Sequence, residues 1–158
     1  MKIKYSQGMT LIELMVGVSV LAILLSLSFP SFRSLIDKNN VDAAVNDLQR
    51  LVQYARTEAV TQRKNVKVCL AEKESNTCVK APSLSNRLIV LGENSELLYE
   101  VEFSKTQLVL RPVEFSFAVN GKTNNKICFI VSSHSAPESY VELNEYGMLK
   151  IKKQACAG

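Results

Sequence analysis

Met9 to Phe29 reads MTLIELMVGVSVLAILLSLSF, 21 residues in which the only charge is Glu13. A helix of that length spans roughly 31 Å at about 1.5 Å per residue, which matches the hydrocarbon thickness of a bilayer. Gly17, Ser19, Ser26 and Ser28 fit such a segment, since small residues let helices approach closely. Pro30 then ends or kinks the run. The stretch reads as a membrane-spanning helix or a signal segment. Basic Lys2 and Lys4 ahead of an apolar centre, with Ser26 and Ser28 behind it, suit a secretory signal. A plain anchor would be equally apolar. Neither reading explains Glu13, because an ionisable group in an apolar helix is costly and marks function, and neither explains the polar, Gly-terminated residues 1–8.

Working outward, the chain has 158 residues, 47% hydrophobic and 22% charged, enough for one domain with a real core and far from a disordered composition. Its net charge of +4 shrinks once Lys2 and Lys4 are set aside: residues 9–158 carry 17 basic against 15 acidic groups. A nucleic-acid surface must therefore come from local clustering.

Beyond Pro30 the apolar residues Val41, Ala44, Val45, Leu48, Leu51, Val52, Ala55 and Ala59 recur at spacings of three and four. That period is an amphipathic helix, continuing to about Gln62, with Asp47 and Arg50 as neighbours one turn apart. The rest reads as strands at Val66–Leu70, Arg87–Leu91, Leu97–Phe103, Glu114–Val119, Ile127–Val131, Tyr140–Leu143 and Met148–Lys152. Asn120-Gly121 forms a hairpin turn, and Pro82, Gly92–Asn94, Pro112 and Pro137 punctuate the elements. A long N-terminal helix packed on a mostly antiparallel sheet is an α+β fold. The organisation expected is a leader at 1–8, a transmembrane helix at 9–29, its amphipathic continuation at 30–64 and a β-rich head at 65–158.

Cys69, Cys78, Cys128 and Cys156 are separated by eight, 49 and 27 residues, with no CxxC and a single His, so no zinc pattern arises. In an exported head they form disulfides. Of three possible connectivities the favoured one clamps a local loop through Cys69–Cys78 and pins the C-terminus through Cys128–Cys156. Loop entropy gives these roughly 2.7 and 3.6 kcal/mol. His134, in Ser132-Ser133-His134-Ser135, reads as a solvated loop residue with no nucleophile elbow beside it. No phosphate-binding Gly motif or metal-ligand cluster is present, so an anchored periplasmic enzyme is disfavoured and neither cofactor nor small-molecule substrate is expected.

Residues 146–158 hold Lys150, Lys152 and Lys153 and no acidic side chain. On a strand Lys150 and Lys152 share a face, and Lys122 and Lys126 of the preceding hairpin extend the patch if they lie nearby. Such a surface holds DNA phosphates without reading sequence. It is equally a solvated edge strand, where lysines discourage sheet aggregation.

Gly8-Met9-Thr10-Leu11-Ile12-Glu13-Leu14 resembles the prepilin processing site of type IV pilins and type II secretion pseudopilins, and the remainder is similar to the GspH/FimT branch. The resemblance implies cleavage by prepilin peptidase between Gly8 and Met9, N-methylation of Met9, and a helix kink at Pro30. It implies a type IV pilin-like fold in a single-pass inner-membrane protein with a periplasmic head, assembled with other pilins or pseudopilins. Glu13 would pair with the Met9 ammonium of a neighbouring subunit and set helix register. Some FimT-type members bind DNA through a Gly-Arg-x-Arg stretch near the C-terminus; here Gly147 is followed by Met148, Leu149 and Lys150, and lysine lacks the guanidinium fork. The implied roles are a type IV minor pilin, with DNA uptake as an added capacity, or a GspH-like pseudopilin.

Overall fold

The structure is a computed structural model that describes residues 9–72, 75–80, 84–123, 125–133, 137–152 and 154–155, the side chains of 26–32 excepted. One helix, α1 (Leu11–Gln62), precedes eight strands: β1 (Val66–Leu70), β2 (Arg87–Leu91), β3 (Leu97–Glu102), β4 (Gln107–Arg111), β5 (Glu114–Phe117), β6 (Ile127–Ser132), β7 (Ser139–Leu143) and β8 (Leu149–Lys152). The chain divides into two compact units, one up to Leu35 and one from Ile36 onward.

In the first unit α1 opens with Thr10, whose Oγ1 accepts the Glu13 backbone N–H at 3.4 Å. Thr10 thus caps a free donor of the first turn. Every described residue from Leu11 to Leu25 is exposed. The backbone stays helical through position 30, so Pro30 does not terminate α1.

Here the expected transmembrane segment must be corrected. Among the described residues no helix is long and apolar enough to cross a membrane. The transmembrane first half assigned to the fold, and the single-pass placement with a periplasmic head, both fall with that finding.

In the second unit the amphipathic stripe is buried as its period requires: Val41, Ala44, Val45, Leu48, Leu51, Val52, Ala55 and Ala59 all enter the core. Full burial of Leu48, Leu51 and Val52 contributes about 1.5–3 kcal/mol each. Asp47 and Arg50 approach to 3.7 Å on the exposed side, a pair worth under about 1 kcal/mol. The helix ends where Arg63 turns left-handed (φ 53°) and the Lys64 N–H reaches back to the Ala59 carbonyl at 3.3 Å, a Schellman closure without glycine.

The head is α+β with antiparallel pairing throughout, in two four-stranded sheets ordered β3-β2-β1-β5 and β4-β6-β7-β8. Strand β4 is absent from the sequence reading. Its QLVLR is a short run whose alternation, Leu108 and Leu110 buried between exposed Gln107 and Arg111, is masked by Val109. β4 pairs with β6 in the second sheet, and β5 returns to pair with β1 in the first. Both sheets and α1 share one core, in which Phe115 meets Phe117 and Phe129 edge-on at 5.7 and 5.9 Å.

Candidate functional site

Two places collect the residues that the sequence marks. The first is the helix N-terminus. Met9 is 70% exposed, and Gly8, on the other side of the expected cut, lies outside the described residues. Glu13 stands at the third helical position after the Thr10 cap. Thr10-Leu11-Ile12-Glu13 therefore has the spacing of a capping box, a signal the sequence reading passed over. A carboxylate there also faces the positive end of the helix dipole. Glu13 consequently has a local role in starting α1, whatever it meets in an assembly.

The second place is the surface formed by the β5–β6 and β7–β8 turns beside the last turns of α1. Gly121 (φ +71°) and Gly147 (φ +76°) sit at the two turn tips in the left-handed region that glycine adopts without strain. In the β7–β8 turn Asn144 Oδ1 accepts the backbone N–H groups of Tyr146 and Met148 at 3.0 and 2.9 Å. The two turns are tied together by the Thr123 N–H donating to the Glu145 carbonyl at 3.0 Å. Both tips press on Arg56: a Cβ at Gly121 would lie 3.2 Å from its Nε, and one at Gly147 would lie 2.8 Å from its Cδ. Gln53 Nε2 donates to the Gly147 carbonyl at 3.3 Å. The helix thus holds both turns in register.

Of the expected basic residues, Lys122 does join this surface, with its Nζ 5.0 Å from the centre of the Tyr146 ring. Lys126 and Lys150 are exposed. Lys152 is already engaged, its Nζ 3.3 Å from Glu142 Oε2, which reduces the charge it offers a phosphate. Lys153, Cys156 and His134 lie outside the described residues.

Cys69 and Cys78 form a disulfide with a Cα separation of 5.5 Å. Cys128 is also disulfide-bonded, and the partner expected for it, Cys156, lies outside the described residues. The loop closed by Cys69–Cys78 is held from below by Arg87, which sequence reasoning treated only as a strand residue. Its guanidinium pairs with Glu100 and donates to the Ser75 carbonyl at 2.6 Å, to the Glu72 carbonyl at 3.3 Å and to Asn76 Oδ1 at 3.1 Å.

Two tyrosines titrate above their ordinary range. Burial raises Tyr54 first, with Glu58 and Tyr99 adding to the effect; its ring lies 4.9 Å from that of Tyr99. Tyr140 is raised chiefly by donating to Glu138 at 2.6 Å. Among the described residues no cluster of His, Cys, Asp or Glu has the arrangement of a metal site. A cleft of about 770 Å³ at the seam of the two sheets is lined largely by hydroxyl and amide groups, including Ser85, Ser104, Thr106 and Gln107, with Lys105 and Glu72 as its charges.

Residues 3–29 match the family model described as the prokaryotic N-terminal methylation motif, and residues 44–140 match the model described as Type II transport protein GspH. No curated protein matches the chain. Among solved structures, the type IV minor pilin FimU of Pseudomonas aeruginosa strain PAO1 is similar in two crystal forms. One, in space group P21, covers 75% of this chain and 92% of its own at 16% identity with a TM-score of 0.56. The other, in space group P65, covers 70% and 91% at 16% identity with a TM-score of 0.52. At that identity the likeness is one of fold.

Proposed function

The chain belongs to the GspH family of minor pilins and pseudopilins, and on that footing we propose that it is a structural subunit of a type IV pilus, incorporated in the filament or its initiation complex. The observation that carries this reading is the exposed apolar stretch Leu11–Leu25 within the residues matched by the N-terminal methylation motif. An apolar surface of that extent requires cover, and the same helix of neighbouring subunits supplies it in kind. Prepilin peptidase would cut between Gly8 and Met9, and the new Met9 amino terminus would be methylated. Glu13 would then meet the ammonium of a neighbouring Met9. In apolar surroundings that pairing sets axial register, because an unpaired carboxylate there is costly. No catalytic step enters the reading.

Filament recovery tests it. Sheared surface filaments from cells producing the natural chain should contain it, whereas Glu13→Leu should be cleaved and yet missing from them. Equal recovery of both would remove Glu13 from assembly. The pseudopilin alternative rests on the description of the matching family model; recovery in a secretion pseudopilus and not in pili would establish it.

A second reading, DNA capture by the head, is favoured by one observation: Lys122 lies over the Tyr146 ring, and Lys150 is exposed in the same β7–β8 hairpin as Tyr146. Cationic groups next to an aromatic face suit a nucleic-acid strand. Binding should fall steeply between low and high salt and disappear in Lys122→Ala/Lys150→Ala. Salt-insensitive binding, or none, would refute it.

A further inference from the structure

We propose that the cleft at the seam of the two sheets binds a neutral carbohydrate. The sheets are joined there by an isolated antiparallel bridge, in which Ser85 and Leu108 exchange backbone hydrogen bonds at 3.1 and 2.8 Å. Beyond Ser85, β2 pairs with β1 and β3, whereas β4 pairs with β6, so the chain on either side of the bridge belongs to different sheets. The opening between them, about 770 Å³, lies within the range of small-molecule sites, about 300–1,000 Å³.

The group that points to a ligand is Thr106. The residue is 5% exposed, and among the described residues its Oγ1 has no hydrogen-bond partner. It lines the cleft and a recess of about 200 Å³ that shares Phe103–Thr106 with it. No side-chain oxygen among the described residues is both sealed from solvent and unpaired, so this hydroxyl opens into that space. A largely buried hydroxyl without a partner is costly to keep. A ligand hydroxyl, which both donates and accepts, satisfies it. Two neighbouring side chains are already oriented by bonds of their own. Asn86 Nδ2 donates to Glu102 Oε1 at 3.2 Å, which leaves its carbonyl oxygen free, and Ser133 Oγ donates to Asp37 Oδ1 at 3.2 Å, which leaves its lone pairs free. Fixed groups of this kind bind at little further ordering cost. Gln107 adds an exposed amide, and Leu84, 62% exposed, supplies an apolar wall for the C–H face of a sugar ring.

The same lining sets other ligands aside. Its described charges are one lysine and one glutamate, Lys105 and Glu72, so it offers a polyanion no net attraction. Strand addition along β4 is blocked at Leu108, because Ser85 already takes both its backbone groups. Hydroxyls and amides with little net charge match a neutral polyhydroxylated molecule, which the site would hold rather than turn over. The inference stands apart from the filament reading.

The test is saturation-transfer NMR of the full chain in lauryldimethylamine oxide micelles, a detergent without a sugar headgroup. The probes are maltotriose, lactose and triacetylchitotriose, with trigalacturonate and a Ser-Gly-Asn hexapeptide as comparisons. At least one neutral sugar should bind, with an affinity little changed by salt. Thr106→Val, which keeps the shape and removes the hydroxyl, should weaken it by about tenfold. The same variant should not lower Tm, because the hydroxyl it removes holds nothing in the free chain. Lys122→Ala, away from the cleft, should bind as the natural chain does. Binding of none of the three neutral sugars, or of trigalacturonate or the peptide alone, would overturn the proposal. So would undiminished affinity in Thr106→Val, and a lowered Tm in that variant would show that its hydroxyl serves the fold instead.

Discussion

Gly147→Ala should destabilise the head by about 1–2 kcal/mol, and the structure shows where that cost arises. Gly147 has φ +76°, and placing an L residue in the left-handed region costs roughly 1–2 kcal/mol. Its new Cβ would stand 2.8 Å from Arg56 Cδ and 3.4 Å from Phe117 Cε1. Phe117 is fully buried, so Arg56 must give way and loosen the contact between the β7–β8 turn and α1. The smaller conformational freedom of alanine in the unfolded chain offsets about 0.4–1 kcal/mol. Thermal unfolding of the full chain, followed by circular dichroism, should show a Tm lower by about 3–6 °C. Gly147→Asn should lose less than Gly147→Ala, since Asn tolerates the left-handed conformation. Combining Gly147→Ala with Arg56→Ala separates the two causes, because relief of the clash appears as a favourable coupling energy. Gly92→Ala is the control: its Cβ would meet only the end of the flexible Glu96 side chain, and its loss should be small. An unchanged Tm for Gly147→Ala would refute the reasoning, and an Asn variant as unstable as the Ala variant would refute the backbone share of it.

Other consequences follow from the same geometry. Arg63→Gly should stabilise the chain by about 0.5–1 kcal/mol in urea unfolding, because glycine adopts the left-handed helix cap at φ 53° without strain. Arg87→Ala should cost about 2–3 kcal/mol by removing charge-assisted bonds to a loop that keeps its disulfide, and limited proteolysis between residues 72 and 80 should accelerate. Tyr54, whose pKa is raised in the folded state, binds its proton more tightly there than when unfolded. Its stabilising contribution is therefore intact below the ordinary tyrosine range and is lost as pH rises through the folded value. Tyr54→Phe should flatten the decline of Tm in that alkaline window, and an unaltered decline would exclude Tyr54 as a source.

The amphipathic part of α1 was legible because its spacing of three and four reports directly which face is buried, and the stripe from Val41 to Ala59 enters the core as read. Alternation and short apolar runs mark seven of the eight strands, and Gly121 lies in the Asn120-Gly121 turn that the sequence marks. What escaped depends on partners distant in the chain. The division into two sheets turns on β4 choosing β6 and β5 choosing β1, which no local pattern encodes. Lys152 reads as an open cation in sequence and is neutralised by Glu142 on the neighbouring strand. Arg87 reads as a strand terminus, and its hold on the disulfide loop appears only once that loop folds over it. The sequence reading takes Met9 to Phe29 as one membrane span, whereas among the described residues no helix is long and apolar enough to cross a membrane. Glu13 drew attention as an isolated charge, and its place in a capping box with Thr10 was available from the T-x-x-E spacing.

The central claim is that this chain is a processed filament subunit, and intact mass spectrometry of the protein isolated from its native cells tests it most directly. The account predicts a chain beginning at Met9, one methyl group heavier than the encoded residues and lighter by the four protons of two disulfides. An intact Met1, or an amino terminus created after Ser28, would contradict it, and the roles assigned to Gly8, Met9 and Glu13 would fall together.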